Sequence, residues 1–155
     1  EIRRVLDRFR DTTGAQLRAC FANMWDDELL KTYQRKYYDR TSEYIRNAVK
    51  ESMEFLLGPC DIQVDISSAG QKEIKITNLK NPPKSSYEIR LTNQRITYGY
   101  YRVDQTAFLV PLDLKKAQNP PPLAWVVAQE TAPRTFDHYL QEYDRMFSEA
   151  LRVYP

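Results

Sequence analysis

The sequence predicts an α/β or α+β domain: N-terminal helices, a mostly antiparallel or mixed sheet of about six strands, and a C-terminal helix packed on that sheet. Three observations carry this. Apolar residues recur at helical spacing as far as Gly58-Pro59, alternate with polar ones between Ile62 and Val103, and return to helical spacing after Pro133. No regular exchange of strand for helix and no internal repeat interrupts that order.

Ile2, Val5, Leu6 and Phe9 share one face of a short helix over residues 2–10, which Thr12-Thr13-Gly14 ends. Leu17, Cys20, Phe21 and Met24 continue the helical spacing through Ala15–Trp25. Asp26-Asp27-Glu28 then supplies an N-cap and acidic charges suited to a helix start. The helix that follows is expected over 27–57. Its stripe runs through Leu30, Tyr33, Tyr37, Tyr44, Ile45, Ala48, Val49, Ser52 and Leu56, with a break near Asp39–Ser42 where Thr41-Ser42 offers a second cap. Gly58-Pro59 stops it.

Beyond Pro59 the period becomes two. Ile62, Val64 and Ile66 alternate with Gln63 and Asp65, and Ile74 and Ile76 with Glu73, Lys75 and Thr77, which makes a half-buried hairpin turning over Ser67–Gly70. After a loop over residues 81–86, the stretch Tyr87–Asp113 reads as a buried β-hairpin. Its strands are Tyr87–Leu91 and Ile96–Val103, with a turn at Asn93-Gln94, then a tight turn at Gln105 and the apolar strand Ala107–Leu112. Asn119-Pro120-Pro121-Pro122 is a stiff extended loop before a last strand, Leu123–Ala128. Phe136, Tyr139, Leu140, Tyr143, Phe147 and Leu151 line a closing helix begun by Pro133 and ended by Pro155.

At 155 residues the chain is expected to be one domain, 1–155, with a helical part over 1–57 and the sheet plus closing helix over 60–155. The 42% hydrophobic and 28% charged fractions are those of a soluble globular protein. With 23 basic and 21 acidic side chains the net charge is only +2, so no global field draws in nucleic acid or anionic lipid. No apolar run reaches the ~20 residues that span a bilayer. The chain opens on Glu1 rather than Met, which leaves room for a DNA-binding or effector module ahead of it. Cys20 and Cys60 sit among apolar neighbours and outside any metal-ligand spacing. Buried free thiols in a reducing, cytoplasmic compartment follow, with no metal and no cofactor expected.

Four groups of residues invite a chemical reading. Asp104 ends an apolar strand two residues after Arg102, and a carboxylate there is first a turn former or ion-pair partner. His138, the single histidine, has Asp137 beside it and Glu142 one turn on, too few ligands for a metal site. Lys31, Arg35, Lys36, Arg40, Arg46 and Lys50 alternate with Tyr33, Tyr37, Tyr38 and Tyr44 on the long helix. Such a face suits an interface or single-stranded nucleic acid, with Lys31, Arg35, Tyr38 and Arg46 as its candidate residues. Asp39, Glu43, Glu51 and Glu54 dilute it, so a solvated amphipathic face outweighs nucleic acid. Lastly, Tyr98, Tyr100 and Arg102 share one strand face while Gly99 and Tyr101 share the other. Gly99 lets a ligand approach the backbone closely, and a shallow pocket floored by Gly99 with Thr97, Tyr101 and Asp104 at its rim is the candidate binding site. Arg102 completes that set.

Several segments between Tyr44 and Ala150 together resemble phospholipase D-like domains. They are Ile45-Arg46-Asn47-Ala48, Tyr87–Leu91, Tyr98–Asp104, Phe108-Leu109-Val110, Pro122–Val127 and Phe136-Asp137-His138-Tyr139-Leu140. The likeness is to the degenerate kind fused behind helix-turn-helix domains in bacterial regulators. Active members carry a His-x-Lys-x4-Asp segment whose histidine is the nucleophile and whose lysine holds phosphate. With Asp104 as that aspartate, Thr97 stands at the histidine and Gly99 at the lysine. Threonine without a base is a poor nucleophile, and glycine cannot neutralise a phosphate. The resemblance therefore implies a pseudoenzyme with no catalytic residue: a ligand-sensing or assembly module of a bacterial regulatory or defence-type protein. It is expected to bind a small phosphate-bearing ligand or a protein partner and to self-associate. Two alternatives stand beside it: a phosphodiesterase or nuclease working around Asp104 and His138, and an interaction domain built on the tyrosine-rich helix.

Overall fold

Alternation at Leu17, Ala19 and Phe21 competes with helical spacing in the same seven residues, and the fold resolves the contest in favour of a strand. The computed structural model describes residues 2–36, 40–68, 70–96, 98–111 and 125–155. The elements are α1 (Ile2–Asp11), β1 (Gln16–Ala22), α2 (Asp27–Lys36), α3 (Ser42–Leu57), β2 (Asp61–Ile66), β3 (Lys72–Thr77), β4 (Ser86–Thr92), β5 (Tyr98–Val103), β6 (Thr106–Pro111), β7 (Trp125–Ala128), α4 (Pro133–Glu149) and β8 (Leu151–Tyr154). The fold is α+β with a C-terminal helix, as expected. Its strands form three small sheets, ordered β1-β4-β8, β2-β3 and β5-β6-β7, instead of one sheet of six.

The separation follows from a pairing between strands distant in sequence. β4 does not turn back onto β5; it pairs in parallel with β1, Leu17 opposite Tyr87 through Phe21 opposite Leu91. The link after β4 is tied elsewhere. Asn23 donates its amide to Asn93 Oδ1 at 2.9 Å, and Ile96 exchanges hydrogen bonds with the Tyr33 hydroxyl. As far as Pro111, the stretch from Tyr87 is thus one strand of one sheet followed by a hairpin of another, not a single hairpin.

Two further expectations are corrected. Ala15–Trp25 is not helical: β1 turns Leu17, Ala19 and Phe21 towards the main core and Arg18 towards α4, so parallel pairing with β4 overrides the weak helical period. The closing helix does not reach Pro155, because the backbone becomes extended at Ala150 and β8 pairs antiparallel with β4, burying Val153. The break in the long helix falls where the cap signal put it: Thr41 Oγ1 accepts from the Tyr44 N–H at 3.1 Å. Yet α3 buries Ile45, Met53 and Leu57, while Tyr44, Ala48 and Ser52 from the expected stripe lie exposed. Tyr37, the Asn119–Pro122 loop and Leu123 lie outside the described residues.

Burial is divided among three clusters. The main one packs Met53 and Leu57 of α3 against Ile74 and Ile76 of β3, Tyr87, Ile89 and Leu91 of β4, and Val153. A second joins Ala22, Met24, Leu29, Leu30 and Ile45 around the start of α2. The third sets Phe136 of α4 on Ala107, Leu109 and Val127. α4 bridges the first and third regions. Its C-terminal half lies on the charged side of β1 and β4, where the Arg18 and Arg90 guanidiniums stand 4.2 and 4.6 Å from the Phe147 ring centre. Arg90 also donates to the Phe147 and Ser148 carbonyls, satisfying the helix end. Among the described residues no helix is long and apolar enough to cross a membrane.

Candidate functional site: the open face of the β5–β7 sheet

The pleat of β5 sorts the candidate residues into two sets. Tyr98, Tyr100 and Arg102 pair with Pro111, Leu109 and Ala107, the face that α4 covers. Tyr98 packs edge-on against Tyr139 at 5.5 Å and donates its hydroxyl to Glu142 at 2.7 Å, while Tyr100 stacks on Tyr143 at 5.3 Å. Gly99, Tyr101 and Val103 hold the register positions opposite Val110, Phe108 and Thr106, on the side turned away from α4. On that side Phe108 and Val126, directly paired across β6 and β7, are 36% and 63% exposed. Apart from Trp125, which pairs with Leu109 on the α4 side and is 57% exposed, apolar burial on one face and apolar exposure on the other define the site.

Asp104 opens the two-residue turn that joins β5 to β6, with φ +50. The left-handed region is one that aspartate tolerates and that two-residue hairpins require. Its carboxylate is exposed, and its carbonyl accepts from Arg102 Nε at 2.6 Å. Asp104, Gln105, Thr106 and Phe108 line an open hollow of about 580 Å³. Arg102 does not serve that hollow: its guanidinium lies 5.4 Å from the Phe136 ring, on the α4 side. Thr97 and the side chains of Gly99's neighbour Tyr101 lie outside the described residues, as does Tyr38. The rim expected around Gly99 is therefore described at Asp104 alone, joined by Phe108.

The other candidates separate. His138 is exposed on α4, edge-on to Tyr139 at 5.4 Å, and Glu142 is already engaged by the Tyr98 hydroxyl. Lys31 is held by Glu28 at 2.7 Å, Arg35 is exposed on α2, and Arg46 turns to the Met24 carbonyl at 3.0 Å. Among the described residues no group of three or more His, Cys, Asp or Glu could hold a metal ion.

Burial also sets the titration of the groups nearest α4. The Cys20 thiol is pushed from 9.0 up to about 11, chiefly by desolvation and partly offset by Arg90. Desolvation first, then the Glu142 carboxylate, raises Tyr98 well above the ordinary phenol range; burial does the same for Tyr143. Each raised value favours the neutral form in the fold, so the stability it contributes is complete below the unfolded value and lost as pH climbs through the folded one. The melting temperature is accordingly expected to hold up to pH 9 and to fall above it, as the ordinary thiol value of 9.0 and then the ordinary phenol value of 10.0 are passed. Thermal melts across that range check this, and Tyr98→Phe should flatten the fall above pH 10. An unchanged melting temperature from pH 8 to 11 would contradict it.

Phe108 and Val126 are not among the site residues that the sequence suggests; it gives Ala107–Leu112 as an apolar strand and Leu123–Ala128 as the last strand. The signal was present in the number of consecutive apolar residues at 107–110 and 125–128: both faces cannot be covered when a single helix follows. Comparison of the chain with models of protein families, with curated proteins and with solved structures finds no match to any of them. Fold and site define a class by themselves, an α+β domain whose small antiparallel sheet is, among the described residues, helix-covered on one side and exposes Phe108 and Val126 on the other.

Proposed function

We propose that this chain is a non-catalytic recognition module that assembles with a second copy of itself through the open side of its β5–β7 sheet. The observation that carries the reading is the exposed cross-strand pair Phe108–Val126. β7, with sequence Trp-Val-Val-Ala, has neither charge nor proline, and among the described residues it pairs with β6 alone. Two copies stacked face to face about a two-fold axis would bury Phe108 and Val126 of each against those of the other, a self-complementary arrangement. The phospholipase D-like resemblance supports the absence of chemistry, through Thr97 and Gly99 at the reactive positions. A phosphate-bearing occupant finds less support, because Arg102 faces Phe136 and the described residues that line the hollow carry no charge apart from Asp104. In this reading the module is cytoplasmic and regulatory.

Hydrolysis of a generic phosphodiester such as bis(p-nitrophenyl) phosphate tests the non-catalytic half. Wild type and Asp104→Ala should both release product at the uncatalysed rate. Turnover by the wild type that Asp104→Ala abolishes would overturn the proposal in favour of an enzyme.

A further inference from the structure

A second concavity, of about 240 Å³, lies along α3 and is lined by Trp25, Glu43, Arg46, Asn47, Lys50 and Ile62. It shares no residue with the β5–β7 face. Its parts are held in place by bonds outside it. The Trp25 backbone is fixed at both ends, its N–H donating to Asn23 Oδ1 at 3.2 Å and its carbonyl accepting from Lys72 Nζ at 2.8 Å. Arg46 is aimed by its Nε bond to the Met24 carbonyl. Such tethering removes part of the ordering cost that binding otherwise carries.

The two cations of the groove are loosely paired. Arg46 Nη2 stands 3.6 Å from Asp27 and Lys50 Nζ 3.7 Å from Glu54, beyond the 2.7–3.2 Å of a good N–H···O bond. Other surface pairs are tight by comparison: Asp27 is held by Lys72 at 2.9 Å, and Glu28 by Lys31 at 2.7 Å. Because Lys72 takes up Asp27, the Arg46 head group keeps donors to offer. Arg46 and Lys50 lie one helical turn apart on the same face, and Asn47 adds an amide between them. Glu43 sits at the opposite end, seven residues from Lys50, which is about 10 Å along the axis. The groove therefore presents a carboxylate acceptor, an aromatic and aliphatic wall, and a pair of under-used cations in a line of that length.

We infer that this groove binds a nucleoside monophosphate. The base lies against Trp25 and Ile62 with an N–H donating to Glu43, and the phosphate oxygens accept from Arg46 and Lys50, helped by Asn47. One anionic group suits two cations whose own carboxylate partners remain nearby.

Isothermal titration calorimetry of the full chain with the four 5′-monophosphates, with adenosine and with inorganic phosphate tests this directly. At least one monophosphate should bind saturably, with adenosine and phosphate each at least tenfold weaker. Lys50→Gln, a change at a partly exposed side chain that leaves the core intact, should weaken the best ligand about tenfold, the loss of one charge-assisted contact. Saturable binding lost in this way supports the site. Absence of binding by every monophosphate, equal binding of phosphate alone, or undiminished affinity in Lys50→Gln would overturn it.

Discussion

Phe136→Ala is expected to cost about 3–5 kcal/mol of unfolding free energy, the range for emptying a fully buried phenylalanine site. Phe136 is 1% exposed and, among the described residues, is the only aromatic ring fully buried in its cluster, where it rests on Ala107, Leu109 and Val127. It sits in the first turn of α4, and its backbone N–H bonds to the Ala132 carbonyl as the helix begins. A small α+β domain has a total stability of roughly 5–15 kcal/mol, so one such loss removes a large share. The effect should also be uneven. Among the described residues the β5–β7 sheet has its apolar cover on the α4 side, whereas β1, β4 and β8 keep Met53, Leu57, Ile89 and Leu91. Urea denaturation gives the magnitude, and amide exchange should show β6 and β7 losing protection before β4. A cost below about 1 kcal/mol would mean that α4 does not hold this sheet.

Gly58→Ala is the second large effect, expected at about 3 kcal/mol, the upper end of the cost of one strained backbone position. Gly58 closes α3 at φ +86 and ψ 178, a conformation essentially reserved to glycine, and its N–H donates to the Glu54 carbonyl at 2.8 Å. The strain is compounded by contact. A methyl group at position 58 would stand 3.1 Å from both terminal nitrogens of Arg10. That guanidinium cannot withdraw freely, because Nη2 donates to the Asn81 carbonyl at 2.6 Å. The Arg10 carbonyl in turn accepts from the Lys84 and Ser85 N–H groups and the Ser85 hydroxyl, so moving Arg10 disturbs the loop that leads into β4. Gly14 and Gly70 supply the control. Both have positive φ, +85 and +77, with open space around the missing Cβ, so Gly14→Ala and Gly70→Ala should cost only about 1 kcal/mol. Denaturant midpoints of the three variants decide the matter. Gly58→Ala no worse than Gly70→Ala would show that Arg10 yields without penalty.

Local signals were legible where one rule acted alone. Thr41 as a cap, Gly58-Pro59 as a stop, the alternation in β3 and the tight turn at Gln105 all appear at the residues that encode them, whereas Val64 and Ile66 of β2, expected on the buried face, lie exposed. What escaped was pairing over long separations. Gln16–Ala22 satisfies both a helical and a strand period, and only the presence of β4, some seventy residues later, selects the strand. Leu151–Tyr154 continues the apolar stripe of α4, yet Val153 gains more by entering the main core. The division into three sheets follows from the same cause, since β4 took a partner that no adjacent sequence announces. At the candidate site, alternation correctly set Gly99 and Tyr101 apart from Tyr98, Tyr100 and Arg102. It could not show which side α4 would cover, and that choice removes Arg102 from the hollow and leaves Phe108 and Val126 exposed.

Sedimentation equilibrium of the wild type beside Val126→Lys is the most direct test of assembly through the β5–β7 sheet. Val126 is 63% exposed and outside every buried cluster, so lysine there should leave the fold and its melting temperature unchanged while placing like charges at the two-fold interface. A wild-type dimer that becomes a monomer on Val126→Lys is the expected result. A wild type that stays monomeric at its highest soluble concentration, or a dimer indifferent to Val126→Lys, would contradict it.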